Sequence, residues 1–110
     1  MTHRLFVYGS LAPGRANEHV LASVPGEWQP ATVIGTRRHE GWGASLGYPG
    51  VVVDPQGVEV QGFVFSSEQL PQHWARLDEF EGAGYERVLT TATLEDGSIL
   101  DVYIYQLSSK

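Results

Sequence analysis

Cysteine is absent from this 110-residue chain, and that one gap closes off three chemistries. There can be no disulfide, no thiolate nucleophile and no cysteine-ligated metal, and the composition fits a reducing compartment. Basic residues are scarce as well: seven Lys and Arg stand against thirteen Asp and Glu, for a net charge of −6. Phosphate backbones and anionic membrane surfaces are bound through basic footprints, so neither nucleic acid nor a membrane is expected as a partner. No apolar run is long enough for a membrane span. Met1-Thr2-His3-Arg4 leads straight into a short apolar strand without a signal-peptide pattern, which makes the cytoplasm the expected location. Repeats, low-complexity tracts and interdomain linkers are missing too, so residues 1–110 are expected to form a single domain. Hydrophobic residues are 42% of the chain and aromatics 11%, enough for a core without staples. Folding a chain of this size should bury roughly 65% of the surface its unfolded form exposes.

The chain opens with a β-branched and aromatic run, Leu5-Phe6-Val7-Tyr8, closed by Gly9; this is a first strand, placed centrally. Gly9-Ser10-Leu11-Ala12-Pro13-Gly14-Arg15-Ala16 then leads into a helix expected from about Ala16 to Val24. Loop amides ahead of a helix N-terminus can form a small anion-binding concavity. Gly9 and Gly14 have the separation of a phosphate-binding P-loop, but Arg15-Ala16 stand where that motif needs Lys and a hydroxyl. Ser10 likewise lacks the Gly-x-Ser-x-Gly surroundings of a hydrolase nucleophile. The plain alternative is that Gly9 and Ser10 simply turn the chain.

Residues from Glu27 to Arg38 read as a strand, with Gly35 a possible bulge. The glycine- and aromatic-rich loop from His39 to Gly50 either lines a pocket or covers a core edge. Val51-Val52-Val53 is a short buried strand. In Val58–Phe65 the alternation puts Val58, Val60 and Val64 on one side and Glu59, Gln61 and Phe63 on the other. Ser66-Ser67-Glu68-Gln69 has the form of a capping box, opening a helix that runs to about Phe80 with Leu70, Trp74 and Leu77 as its buried stripe. Gly82 stops it. Glu86 to Leu94 and Ile99 to Leu107 form a hairpin about the turn Glu95-Asp96-Gly97-Ser98. Strands outnumber helices and hairpins are frequent, which predicts a small α+β domain whose strongly twisted sheet can close into a barrel.

The acids at the end of the second helix invite a functional reading. Asp78, Glu79 and Glu81 lie where the macrodipole is negative, at a local cost of roughly 0.3–1 kcal/mol for each anion. Asp78 and Glu79 read as solvated surface. Glu81 sits between Phe80 and Gly82 where the chain turns, on the face of Leu77, so its carboxylate can point inward. A two-carboxylate glycosidase centre of Glu79 and Glu81 is disfavoured, because residues two apart on a helix point about 200° apart. One carboxylate acting as both acid and base needs no partner. The histidines (His3, His19, His39 and His73) are scattered without ligand spacing, so no metal and no cofactor is expected.

Leu5-Phe6-Val7-Tyr8-Gly9-Ser10-Leu11, then Tyr48-Pro49-Gly50, then Leu77-Asp78-Glu79-Phe80-Glu81-Gly82 with Tyr85-Glu86-Arg87, resemble the gamma-glutamylcyclotransferase-like family. The resemblance implies a small mixed barrel of about five to seven strands with about two or three helices packed outside. It implies a reaction in which the α-amine of a small γ-glutamyl substrate attacks its own γ-carbonyl, releasing 5-oxoproline and an amine or amino acid. It places the general acid/base on Glu81, and donors for the substrate on the amides of Gly9, Ser10 and Leu11. Tyr8, Tyr48 and Tyr85 then serve as substrate-binding wall or hydrogen-bond residues. Arg87 is either part of the site or a surface ion-pair partner of Glu86 or Glu79. The leaving group, expected to be read by the 41–50 loop, stays open, as does the choice between monomer and homodimer. The same scaffold also admits a catalytically silent small-molecule-binding or regulatory domain.

Overall fold

The computed structural model describes residues 3–9, 11–12, 14–15, 18–38 and 50–108. Strand β1 (His3–Val7) is central, as its apolar run predicts. It pairs antiparallel with β4 (Val58–Ser67) on one edge and parallel with β6 (Ile99–Leu107) on the other. β4 pairs in turn with β2 (Glu27–Arg38), and β6 forms the expected hairpin with β5 (Tyr85–Leu94). Ala31 and Thr32 of β2 then meet Leu94 and Thr93 of β5. That last contact closes the ring β2-β4-β1-β6-β5 into a five-stranded mixed barrel.

A sixth strand, β3 (Gly50–Val53), stands outside the ring. It pairs with residues 35–38 of β2, on the same edge of β2 that carries β5 at residues 31–32. Gln106 of β6 steps in where β3 has no strand partner. Its side-chain oxygen accepts from the Val53 amide at 3.0 Å, and its amide donates to Glu86 at 2.9 Å.

Side-chain alternation along the strands sorts the core into two clusters. Phe6, Val60, Val64, Val102 and Ile104 fill the barrel interior, with Val33, Val51 and Ala92. The opposite faces of the same strands, with Leu5, Val7, Phe65 and Tyr105, pack against Val20, Leu21, Leu70 and Leu77 from the helical segments. Gly62 belongs to the interior row: a Cβ there would stand 2.5 Å from the Val7 carbonyl and 2.7 Å from the Phe6 ring. Only glycine lets β1 and the Phe6 ring approach so closely.

Several expectations need correction. Gly35 is not a bulge; the β2–β4 register runs unbroken from Glu27 opposite Ser66 to Gly35 opposite Val58. Val58, expected on one side with Val60 and Val64, is exposed at the strand's start, whereas Phe65 on the other side is buried. The outer face of β4 is apolar because helices cover it, so alternation there does not separate core from solvent. The first helix is shorter than expected: α1 covers only His19–Ala22. Ahead of it the backbone bonds run three residues at a time, from Ala12 to Gly9, Arg15 to Ala12, and Glu18 to Arg15.

The expected capping box does not form. The Ser67 hydroxyl donates to the Pro25 carbonyl and accepts from the Gln69 amide at 3.1 Å, a local turn that ends β4 instead. A 3₁₀ turn at Leu70–Gln72 follows, and α2 begins only at Trp74 and runs to Glu81. Pro71 has no amide to donate, and His73, at φ −112° and ψ −6°, joins the two pieces. The buried stripe is otherwise as expected, with Leu70 and Leu77 sealed and Trp74 partly so.

Candidate active site

The chain stops α2 where its glycine predicts. Gly82 takes φ +83°, a conformation costly for other residues, and its amide returns to the Asp78 carbonyl at 3.0 Å. The last helical turn therefore encloses Glu81, and the Tyr85 amide bonds back to the Gly82 carbonyl as β5 begins. Glu81 ends half-buried at this corner. Burial penalises its charged form and pushes the carboxyl up to about 7.

Tyr8 lies across from it, just past the end of β1. Its ring stacks on Phe6, with centroids 6.3 Å apart, and so caps the barrel interior. Its hydroxyl donates to the Tyr105 carbonyl at 2.6 Å and accepts from the Val51 amide at 3.2 Å. Burial raises the Tyr8 phenol well above its ordinary range; the Val51 bond opposes this, and the charge of Glu81 and the neighbouring Tyr85 add to it. Tyr8, Glu81 and Tyr85 are thus brought into one electrostatic neighbourhood. Tyr8 itself is pinned by two backbone groups rather than held ready for a ligand.

The loop after β1 is compact. The Ala12 amide bonds to the Gly9 carbonyl at 3.1 Å, and Leu11 and Ala12 are buried. Glu18 bonds the Gly14 amide at 2.8 Å, so that amide serves the loop itself. Of the expected donors Gly9, Ser10 and Leu11, the first and last are described; Ser10, like Tyr48, lies outside the described residues.

Arg87 has a partner the sequence did not suggest. Its guanidinium makes two bonds to Asp78, at 3.0 and 3.3 Å, while Glu86 instead holds Gln106. The guanidinium also lies over Trp74, 4.3 Å from the ring centroid, and over Tyr103 at 5.1 Å. Asp78 accepts a further bond from the Tyr105 hydroxyl at 2.6 Å. Asp78 is exposed, as expected, but its carboxylate is tied to β5 and β6. The Arg87 bonds, with Tyr105 assisting, hold its carboxyl below the usual range despite partial burial. The Tyr105 phenol is driven the other way, by burial first and then by its bond to Asp78.

Sheet register explains the group. Arg87 and Tyr105 are direct cross-strand partners, with Leu89 opposite Tyr103 one step along. All four therefore share one outer face, on which α2 meets Arg87, Tyr103 and Tyr105 while Leu89 stays exposed. Tyr103 and Tyr105 were not anticipated, the Tyr-x-Tyr alternation in β6 being their one local sign, and Trp74 was expected only as part of the buried helix stripe.

Chemically, the corner offers one carboxyl, raised to about 7, whose charge is felt by Tyr8 just past the end of β1. No helix among the described residues is long and apolar enough to cross a membrane. No curated protein matches the chain. Among solved structures, it resembles YkqA from Bacillus subtilis at 28% identity and a TM-score of 0.73; the match covers 98% of this chain but only 36% of that protein. It resembles a protein from Arabidopsis thaliana at 26% identity and a TM-score of 0.72, over 97% of this chain and 62% of that one. An AIG2-like protein from Mus musculus shares the fold at 20% identity and a TM-score of 0.75, over 99% and 79% of the two chains. The sequence model of the family described as gamma-glutamyl cyclotransferase, AIG2-like, matches residues 5–110, and the chain belongs to that family.

Proposed function

We propose that this protein is a γ-glutamyl cyclotransferase that forms 5-oxoproline from a small γ-glutamyl compound, with Glu81 as general acid and base. The observation that carries the reading is the half-buried Glu81 carboxyl, raised to about 7 at the corner between α2 and β5. An ordinary glutamate is a weak base toward an ammonium group. Raising it from 4.5 to about 7 lowers the penalty for accepting that proton by about 3 kcal/mol.

In the reaction, Glu81 takes a proton from the substrate's α-ammonium, and the freed amine attacks the γ-carbonyl carbon. The new ring C–N bond forms, the bond to the leaving nitrogen breaks, and Glu81 delivers a proton to that nitrogen. The attacking nitrogen loses two protons in all and the leaving nitrogen gains two, so the net reaction neither consumes nor releases any. Amides of the Gly9–Leu11 loop bind the α-carboxylate and the charge that develops on the carbonyl oxygen. Tyr8 and Tyr85 serve as walls beside the bound substrate. Holding amine and carbonyl in a cyclising geometry supplies much of the rate.

The test is incubation with a panel of γ-glutamyl amino acids and γ-glutamylamines, with mass detection of 5-oxoproline. Product from at least one compound with wild type, and none with Glu81→Gln, is expected. No product from any of them would leave a binding or regulatory domain on the same scaffold.

A further inference from the structure

We propose that Asp78 is a positioning residue, gripped by Arg87 and Tyr105 so that the last turn of α2 holds Glu81 in the site; this rests on the catalytic reading of Glu81. Asp78 and Glu81 are three apart on one helix, neighbours on its surface. The Asp78 carbonyl also accepts the Gly82 amide at 3.0 Å, so the backbone ring that contains Glu81 begins at Asp78.

The helix has only eight residues, and among the described residues Leu77 is its one fully buried side chain. Arg76 ties it to α1 through the Val20 carbonyl at 3.0 Å. Asp78 ties its last turn to the barrel, through Arg87 on β5 and Tyr105 on β6. Both strand residues are fixed in turn. Arg87 lies over the Trp74 and Tyr103 rings, and the Tyr105 carbonyl holds the Tyr8 hydroxyl. One short chain of bonds thus joins the tyrosine that ends β1 to the turn that carries Glu81. Such a grip is needed where a helix of two turns must hold a side chain against solvent, because so short a helix has little stability of its own.

The grip also manages charge. Tyr8 from the end of β1 and Tyr105 from β6 both feel the Glu81 carboxylate, and Asp78 is an acid one turn away on the same helix. Arg87 neutralises Asp78, so the pair adds no net charge beside Glu81.

The experiment follows the Glu81 carboxyl by ¹³C NMR titration, with and without Asp78→Asn/Arg87→Met, a double change that leaves net charge unaltered. In wild type the carboxyl should titrate near 7. In the double variant it should drop toward the ordinary glutamate range, as the loosened turn lets it reach water. With a compound that turns over, kcat should fall about 100-fold while KM moves less than about threefold, as for a misplaced catalytic group. Unchanged Glu81 titration in a folded double variant overturns the proposal. If the double variant does not fold, Tyr105→Phe decides. It keeps ring and ion pair, and a smaller downward shift of Glu81 supports the grip while none overturns it. The titration needs no substrate, so wild type inert toward every γ-glutamyl compound defeats the catalytic reading alone.

Discussion

Tyr8 and Tyr105 stand 97 residues apart in sequence, yet the hydroxyl of one donates to the main-chain carbonyl of the other at 2.6 Å. The same oxygen takes the Val51 amide, so a single phenol joins the end of β1 to β6 and to β3. Its ring belongs to the barrel, and its hydroxyl holds together the strands around the candidate site.

Removing that hydroxyl should therefore destabilise the fold. Tyr8→Phe leaves a carbonyl and an amide without their partner, which costs about 1–3 kcal/mol. The melting temperature should fall by several degrees, and thermal unfolding of the two proteins side by side measures it. An unchanged melting point would mean that water replaces the phenol at no loss.

The interior face carries its own test. Gly62→Ala places a methyl 2.5 Å from the Val7 carbonyl and 2.7 Å from the Phe6 ring. Backbone cannot retreat as a flexible side chain would, so a loss of about 1–3 kcal/mol is expected in denaturant unfolding. Gly82→Ala should also destabilise, for a different reason: its surroundings are open, but φ +83° disfavours any side chain.

Glu81 makes stability depend on pH with a definite sign. Its folded value is raised above the unfolded one, so between 4.5 and about 7 the folded state binds more protons. Stability from this group is full below that window and is lost as pH rises through it. Glu81→Gln should match wild type near pH 4 and exceed it at pH 8, by up to about 3 kcal/mol. Denaturant midpoints at the two pH values check this. A variant less stable than wild type at pH 8 would mark Glu81 as a structural acceptor.

Asp78 has the opposite sign. Its folded value is depressed, so the contribution of its pair with Arg87 is present above the ordinary aspartate range and disappears in acid. The Asp78 side chain is 46% exposed, so the pair should add no more than about 1 kcal/mol to global stability. Arg87→Met should shift the urea midpoint only slightly, and less still at high salt. The pair matters for where it holds the helix more than for how tightly the protein folds.

The limits of β2 and β6 could be read from the sequence because both runs are bounded by turn residues and carry β-branched and aromatic side chains. The hairpin turn was legible for the same reason: Asp96 bonds the Ser98 amide and Gly97 takes φ +88°. What local pattern could not supply was contact between distant elements. Phe65 looks like the wrong face of an alternating strand until the helices are known to cover it. Asp78 looks like a surface acid until β5 and β6 bring Arg87 and Tyr105 to it in register. Arg87 is flanked in sequence by Glu86, but successive residues of a strand face opposite ways, so the nearest acid was the wrong partner. Of the expected site residues, Tyr8, Gly9, Leu11, Glu81 and Tyr85 fall on the described chain, and Tyr8 and Glu81 are coupled in charge. The helix before Trp74 failed for a local reason, since Ser66, the serine of the Ser-x-x-Gln pattern, stays in β4 opposite Arg4 and Glu27.

The most direct test of Glu81 as the proton carrier is the pH dependence of kcat/KM for a γ-glutamyl compound that yields 5-oxoproline. The account predicts a rate that falls as pH drops below about 7, following the ionisation of the Glu81 carboxyl, and Glu81→Gln without activity across the range. A profile flat down to the ordinary carboxylate range, or a Glu81→Gln enzyme that keeps its rate, would contradict it.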